Sequence, residues 1–171
     1  MKKVLAFAGS NSSNSINKQL VDYAATLQEG IDVIDLRDYD APMYSIDLEQ
    51  AEGVPAKIQE LYTLIGGYDG VIMASPEHNG FPPAFFKNIL DWLSRAEGEK
   101  FLKDKNVALL STSPGGFGGQ NNLNNMKNVM PYWGANIVGT YSLGKFYEQM
   151  ENGALKSEEE KAKLQELIAL L

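Results

Sequence analysis

Three short stretches concentrate the residues able to do chemistry. The first, Gly9-Ser10-Asn11-Ser12-Ser13-Asn14-Ser15-Ile16-Asn17, packs hydroxyls and amides immediately before a helical pattern. A helix N-terminus presents free N–H groups and a partial positive charge, and Ser and Asn add donors without negative charge. That combination suits a phosphate. One residue acting as a helix cap is the plainer role, but one cap accounts for one residue and not for this density. The stretch is neither a Walker loop, which needs Gly-Lys-Ser/Thr, nor a GxGxxG fingerprint. The second stretch is Ser75-Pro76-Glu77-His78-Asn79-Gly80-Phe81-Pro82-Pro83. Asn79-Gly80 favours a tight turn and Pro83 can start a helix. On spacing alone a rigid strand-to-helix turn and a ligand-facing loop are both open. The third, Ser113-Pro114-Gly115-Gly116-Phe117-Gly118-Gly119-Gln120, is glycine-rich, so its backbone N–H groups can approach a flat ligand closely.

These stretches need elements to position them. Five apolar runs recur, at Lys3–Ala8, Ile31–Leu36, Gly70–Ser75, Val107–Thr112 and Asn136–Tyr141. Most do not alternate polar and apolar residues, the pattern of parallel strands covered on both faces. Helical spacing falls between them, at Ile16–Gln28, Pro55–Ile65, Pro83–Arg95 and, more weakly, Asn121–Met130, with a last helix over Ser157–Leu171. Ser157 and Glu160 match a capping box. Strand–helix alternation predicts an α/β three-layer sandwich. Its five-stranded parallel sheet has helices on both faces and a flavodoxin-like order 2-1-3-4-5. In such sheets ligands bind beyond the carboxyl ends of the strands, where strand order reverses. The three stretches follow strands one, three and four, so they form one pocket, with a wall for a phosphate and two for a planar ring.

Composition narrows the chemistry. The 171 residues are expected to form one domain over 1–171, with Gly66-Gly67 and Gly115–Gly119 as local turns rather than boundaries. There is no cysteine, so disulfides, thiolate chemistry and Cys-ligated metals are excluded. A single histidine, His78, rules out a multi-histidine metal site. Fifteen Lys and Arg against 22 Asp and Glu give a net charge of −7, which argues against nucleic acid as a partner. The apolar run at the N-terminus is too short for a signal peptide, and no stretch approaches the ~18 residues of a membrane span. A cytoplasmic protein with small-molecule ligands is the expectation.

At these residues the chain resembles the NADPH-dependent FMN reductase family, which includes chromate and quinone reductases and azoreductase-like enzymes. The first signature resembles G-S-x-R-x-x-S-x-N, matched by Gly9-Ser10, Ser15 and Asn17. The second resembles S-P-E-Y-N-G followed by P and L-K-N-x-x-D-W. It is matched by Ser75-Pro76-Glu77, Asn79-Gly80, Pro83, Lys87-Asn88 and Asp91-Trp92. The resemblance implies a flavodoxin-like fold with noncovalently bound FMN. Ser10, Ser15 and Asn17 would hold the phosphate with backbone groups of the first loop, Asn11 and Ile16 among them. Pro76, Glu77, His78, Asn79 and Gly80 would line the isoalloxazine, and Ser113, Gly115 and Gly116 would close its other edge. It also implies ping-pong turnover, with NADPH or NADH as hydride donor and a quinone, azo compound, free flavin or other small-molecule electron acceptor. No protein acid, base or nucleophile is required, and Glu77 reads as a structural hydrogen-bonding residue. A homodimer or homotetramer is implied, with the helix over Pro83–Arg95 serving either as interface or as plain core. Two positions depart from the pattern: Ser12 stands for Arg, and His78 for Tyr.

Three other readings fit the residues less well. A flavodoxin-type electron carrier would suit the acidic balance, but the first loop lacks the Thr/Ser-x-Thr-Gly-x-Thr arrangement. A response regulator needs an acidic pair after strand one and an Asp after strand three, where Phe7-Ala8-Gly9 and Ser75-Pro76 stand. A serine hydrolase would need a G-x-S-x-G elbow, which is absent. The segment Asp40–Val54 borders the cleft either as a lid or as a connection.

Overall fold

The five apolar runs become five parallel strands: β1 (Val4–Ala8), β2 (Ile31–Val33), β3 (Gly70–Ala74), β4 (Asn106–Thr112) and β5 (Asn136–Leu143). Their order is β2-β1-β3-β4-β5, as the pattern predicts. The computed structural model describes residues 2–97 and 100–171; Met1, Gly98 and Glu99 lie outside the described residues. β1 and β3 are buried along their whole length, which is why neither sequence alternates.

Successive side chains still point to opposite faces, and the two faces differ in size. Leu5, Phe7, Val71, Met73, Val107 and Leu109 face one layer. There they meet α3 (Ala56–Gly66), α4 (Ala84–Leu93) and α5 (Gln120–Val129) through Ile58, Leu61, Ile89, Leu123 and Met126. The other face carries Ala6, Ala8, Ala74 and Ala108 among Val4, Ile72 and Leu110. Its small residues admit α1 (Ile16–Ala25), whose Leu20, Val21 and Ala24 are fully buried, and α7 (Glu158–Ile168). This arrangement brings the starts of α1, α4 and α5 to the carboxyl end of the sheet, beside the ends of β1, β3 and β4.

Several boundaries move for local reasons. β2 stops at Val33 instead of Leu36, because Asp35 caps a 3-10 turn over Leu36–Tyr39, its Oδ1 accepting from the Arg37 N–H at 3.0 Å. α1 ends at Ala25, closed by a hydrogen bond from the Thr26 N–H to the Tyr23 carbonyl at 2.9 Å. Ser157 caps α7 through the Glu160 N–H, but the Glu160 carboxylate turns elsewhere, accepting from the Tyr141 hydroxyl at 2.9 Å and from Lys163 at 2.8 Å. The capping box thus keeps one arm, and its acid pins α7 to β5. Burial raises the Tyr141 phenol well above its ordinary value, and the contact with Glu160 adds to the shift.

Besides the Leu36–Tyr39 turn, four pieces were not anticipated: α2 (Ile46–Glu52), a 3-10 turn at Met130–Trp133, α6 (Phe146–Gln149) and a hairpin of β6 (Met150–Glu151) with β7 (Ala154–Leu155). The hairpin turns on Asn152-Gly153, with φ of 51° and 79°, the positive pair that a type I′ turn demands.

Candidate active site

The first loop folds on its own hydroxyls. Ser10 Oγ accepts from the Ser12 N–H and Ser12 Oγ from the Asn14 N–H, each at 3.2 Å. Ser15 then caps α1, its Oγ accepting from the Lys18 N–H at 3.1 Å. Each oxygen is engaged as an acceptor, so each hydroxyl keeps its proton to donate. At the helix start the N–H groups of Ile16 and Asn17 have no carbonyl one turn back. The loop is therefore rich in donors and carries no carboxylate of its own. Gly9 is obligatory at its root, because a Cβ there would lie 2.2 Å from the Phe86 ring.

Asn17 plays a different part from the one the resemblance implies for its side chain. It is almost fully buried, and its amide is committed to the end of β4: Nδ2 donates to the Thr112 carbonyl at 3.1 Å and Oδ1 accepts from the Thr112 N–H at 3.0 Å. It is a strut between the first and third loops, and its backbone N–H and the second Nδ2 hydrogen are left for a ligand.

The second loop is a tight turn. His78 and Phe81 exchange backbone hydrogen bonds of 2.9 and 3.1 Å around Asn79 (φ 55°) and Gly80 (φ 86°), again a type I′ geometry. Glu77 reaches to the start of α5, where Oε2 accepts from the Asn122 N–H at 3.0 Å and Oε1 from Asn121 Nδ2 at 3.3 Å. α5 needs that carboxylate. Its N-cap is Gly119, in the left-handed region, where a Cβ would stand 1.9 Å from Ser111 Oγ. Beneath lies a polar cluster: Ser111 Oγ donates to the Ser75 carbonyl at 2.7 Å, and Asn122 Nδ2 to Ser75 Oγ at 2.7 Å and the Pro76 carbonyl at 2.9 Å. Asn122 Oδ1 has no partner among the described residues, a cost on the order of 1–3 kcal/mol.

The third loop is shaped by Ser113. Its hydroxyl donates to the Gly115 carbonyl at 2.9 Å and accepts from the Gly118 N–H at 3.0 Å. Between the three loops is a cavity of about 280 Å³. Of the expected residues, Ser10, Ser15, Ile16 and Asn17 line one side and Pro76, Glu77, His78 and Ser113 the other. Asn79 and Gly80 stand beyond it at the turn tip, and Asn11 borders a neighbouring cavity. Gly115 and Gly116 are exposed outside the lining, with Gly144 packed so closely on Gly116 that a Cβ would clash. Five lining residues were missed, Ser12 and Asn14 of the first loop among them. Thr112 and Pro114 flank Ser113 at the strand end and could have been taken with it. Tyr147, exposed on α6, carries no signal, because nothing in the sequence places the segment after β5.

On the β2 side of the first loop a second cavity, of about 300 Å³, holds two ion pairs among Ser12, Ser13 and Asn14. They are Lys18–Asp22 at 2.6 Å and Arg37–Asp35 at 2.5 Å. The Arg37 guanidinium holds the Asp35 carboxyl below its ordinary value. The segment 40–54 is a pinned connection. Asn88 holds it from α4, donating to the Ala41 carbonyl at 2.9 Å and accepting from the Tyr44 N–H at 2.8 Å. Trp92 Nε1 donates to the Pro42 carbonyl at 2.7 Å and its ring meets Tyr44 edge-on, centroids 5.0 Å apart. Among the described residues no cluster of His, Asp and Glu could hold a metal ion, and no helix is long and apolar enough to cross a membrane.

Comparison with known proteins agrees with this geometry. The chain is 33% identical over 99 residues to a quinone reductase of Escherichia coli, covering 58% of this chain and about half (52%) of that protein. It is 31% identical over 140 residues to an NADPH azoreductase of Bacillus sp. (strain OY1-2), covering 82% of this chain and 71% of the relative. Among solved structures it superposes on the NAD(P)H:(acceptor) oxidoreductase FerB of Paracoccus denitrificans with a TM-score of 0.81 and 28% identity, over 99% of this chain and 94% of that one. Residues 2–148 match the family described as NADPH-dependent FMN reductase, and with that match, the strand order and the three-loop cleft, the chain belongs to that family.

Proposed function

We propose that the cleft between the three loops binds FMN and that the chain oxidises NADPH or NADH to reduce quinones, azo compounds, flavins or similar small acceptors. The observation that carries this reading is the donor-rich, carboxylate-free first loop at the start of α1, set across the cavity from Pro76, Glu77 and His78. The residues present fit the cofactor. A phosphate meets Ser10 and Ser15 hydroxyls and the Ile16 and Asn17 N–H groups. A planar ring meets a rigid turn on one side and Ser113 on the other. When bound, FMN would supply the redox chemistry between the nicotinamide and the acceptor.

The protein's own contribution is positional. Glu77 is tied to α5 and moves no proton. With Ser12 where the family pattern has Arg, a fixed guanidinium beside the first loop is that of Arg37, held in orientation by Asp35 through Nε and Nη2 with Nη1 left over. We assign to it the attraction of the phosphate. The chain acts as one domain, in a cytoplasmic setting. It also assembles as a homodimer or homotetramer. Support for that lies in an apolar groove of about 240 Å³ between α4 and α5, beside exposed Phe81 and Tyr132.

Steady oxidation of NADPH or NADH by the FMN-loaded protein, dependent on a quinone and giving parallel double-reciprocal lines, tests this. A flavin-loaded protein that turns over neither nucleotide would instead be a carrier.

A further inference from the structure

α5 is an unusual helix for a buried layer. Five of its ten residues are asparagine, and only Leu123 and Met126 enter the apolar core. Three of the asparagines grip the second loop. The Asn121 side chain and the Asn122 N–H hold the Glu77 carboxylate; the Asn122 side chain holds Ser75 and the Pro76 carbonyl; and Asn125 Nδ2 donates to the Gly80 carbonyl at 2.8 Å. The helix itself adds no residue to the cavity lining.

Asn122 is the centre of this clamp. It is fully buried, and one end of its amide serves two acceptors in the loop while the other end is unpaired. An apolar residue of the same shape would avoid the unpaired oxygen, so packing alone does not call for an amide here. What the amide does is fix a peptide plane. In a planar trans peptide the N–H lies opposite the C=O. Holding the Pro76 carbonyl toward α5 turns the Glu77 N–H away from α5, to the side where Pro76, Glu77 and His78 line the cleft. That N–H takes no hydrogen bond within the described residues.

We propose that Asn122 is the positioning residue of the site: from outside the cleft, with Asn125 in support, it sets the 76–80 backbone in the orientation that receives the flavin ring. The Gly-rich loop runs directly into α5, so the same clamp makes the two ring-facing walls one rigid unit. The inference rests on the cleft binding FMN, and its test separates the two.

In Asn122→Ala the dissociation constant for FMN, read by fluorescence quenching, rises about tenfold, equivalent to about 1.4 kcal/mol. The visible absorption bands of the bound flavin shift. The ratio of FMN to riboflavin affinity stays that of wild type, because the phosphate end is untouched. Asn124→Ala, an exposed position on the same helix, changes none of these. Tyr141→Phe, which loosens α7 on the far side of the sheet, lowers thermal stability without moving affinity or spectrum. If Asn122→Ala binds FMN with wild-type affinity and spectrum, or if Tyr141→Phe weakens FMN as much as Asn122→Ala at equal loss of stability, the inference is overturned. Should Asn122→Ala not fold, Asn125→Ala carries the same expectations at smaller size, and an unchanged affinity and spectrum there overturns it. Wild-type protein that binds no FMN defeats the underlying reading instead. Amide exchange of residues 77–80 in the FMN-free chain then judges the clamp alone: faster exchange in Asn125→Ala upholds it and unchanged exchange refutes it.

Discussion

Glu77 invites a catalytic reading, because it is a carboxylate in the lining of a redox cleft, and replacing it with glutamine separates that reading from a structural one. Its two oxygens accept from the Asn122 N–H and from Asn121 Nδ2 at the start of α5, whose own N-cap is a glycine. Glutamine keeps one acceptor and turns its NH2 toward a donor, so one bond is lost. The surviving bond falls from about 1.5–3 kcal/mol for a charged acceptor to about 0.5–1.5 for a neutral one. The favourable charge at the helix N-terminus, about 0.3–1 kcal/mol, goes too. Together these give a loss of about 3–5 kcal/mol. For a chain of this size that is a fall in Tm of about 6–20 °C. Urea unfolding of the FMN-free protein measures the stability, and stopped-flow reduction by NADPH across pH measures the chemistry. The expected result is a destabilised Glu77→Gln whose pH profile for reduction keeps its wild-type shape. A variant of wild-type stability whose reduction rate has collapsed, or has lost a limb of its pH profile, would refute the structural assignment and make Glu77 a proton-transfer group.

Other consequences are open to equally direct measurement. Arg37→Ala should lower FMN affinity while leaving riboflavin affinity unchanged, cutting the FMN/riboflavin ratio roughly tenfold, on the scale of one charge-assisted bond; an unchanged ratio removes Arg37 from the phosphate. Trp92→Phe loses the 2.7 Å bond to the Pro42 carbonyl and part of a fully buried ring, which should cost roughly 1–3 kcal/mol in urea unfolding and open residues 40–54 to limited proteolysis. Glu160 is held below its ordinary value chiefly by the Lys163 ammonium, with the Tyr141 hydroxyl adding to it. Its folded pKa lies below the unfolded one, so its contribution is complete above about pH 4.3 and is lost as pH falls through the folded value. The stability gap between wild type and Glu160→Gln should therefore be constant near neutrality and shrink in acid; a gap that widens in acid would contradict the pairing.

Much of this molecule is legible in its residues, for reasons that can be named. Central strands buried on both faces must be apolar throughout, so β1 and β3 declare themselves, and parallel strands with intervening helices leave few topologies. Asn79-Gly80 announces its turn because an Asn-Gly pair accepts two positive φ angles with little strain. The same signal stands at Asn152-Gly153, where the flanking strands are two residues long and show no alternation to accompany it. α5 is faint in the sequence for the reason that makes it useful: its asparagines face a loop instead of a core. The segment 40–54 is unreadable from within, because what holds it is Asn88 and Trp92, more than forty residues away. Those two positions belong to the second signature, where they brace a connection while Pro76 and Glu77 of the same signature line the cleft. Asn17 teaches the converse. A residue matched to a binding motif spends both ends of its amide on a strand end inside the protein, which only the fold reveals.

Titration of the flavin-free protein with FMN, followed by quenching of flavin fluorescence, tests the central claim most directly. Saturable quenching with one FMN per chain, tighter than riboflavin under the same conditions, is the expected result. FMN fluorescence unchanged in excess protein, or riboflavin bound as tightly as FMN, would contradict it.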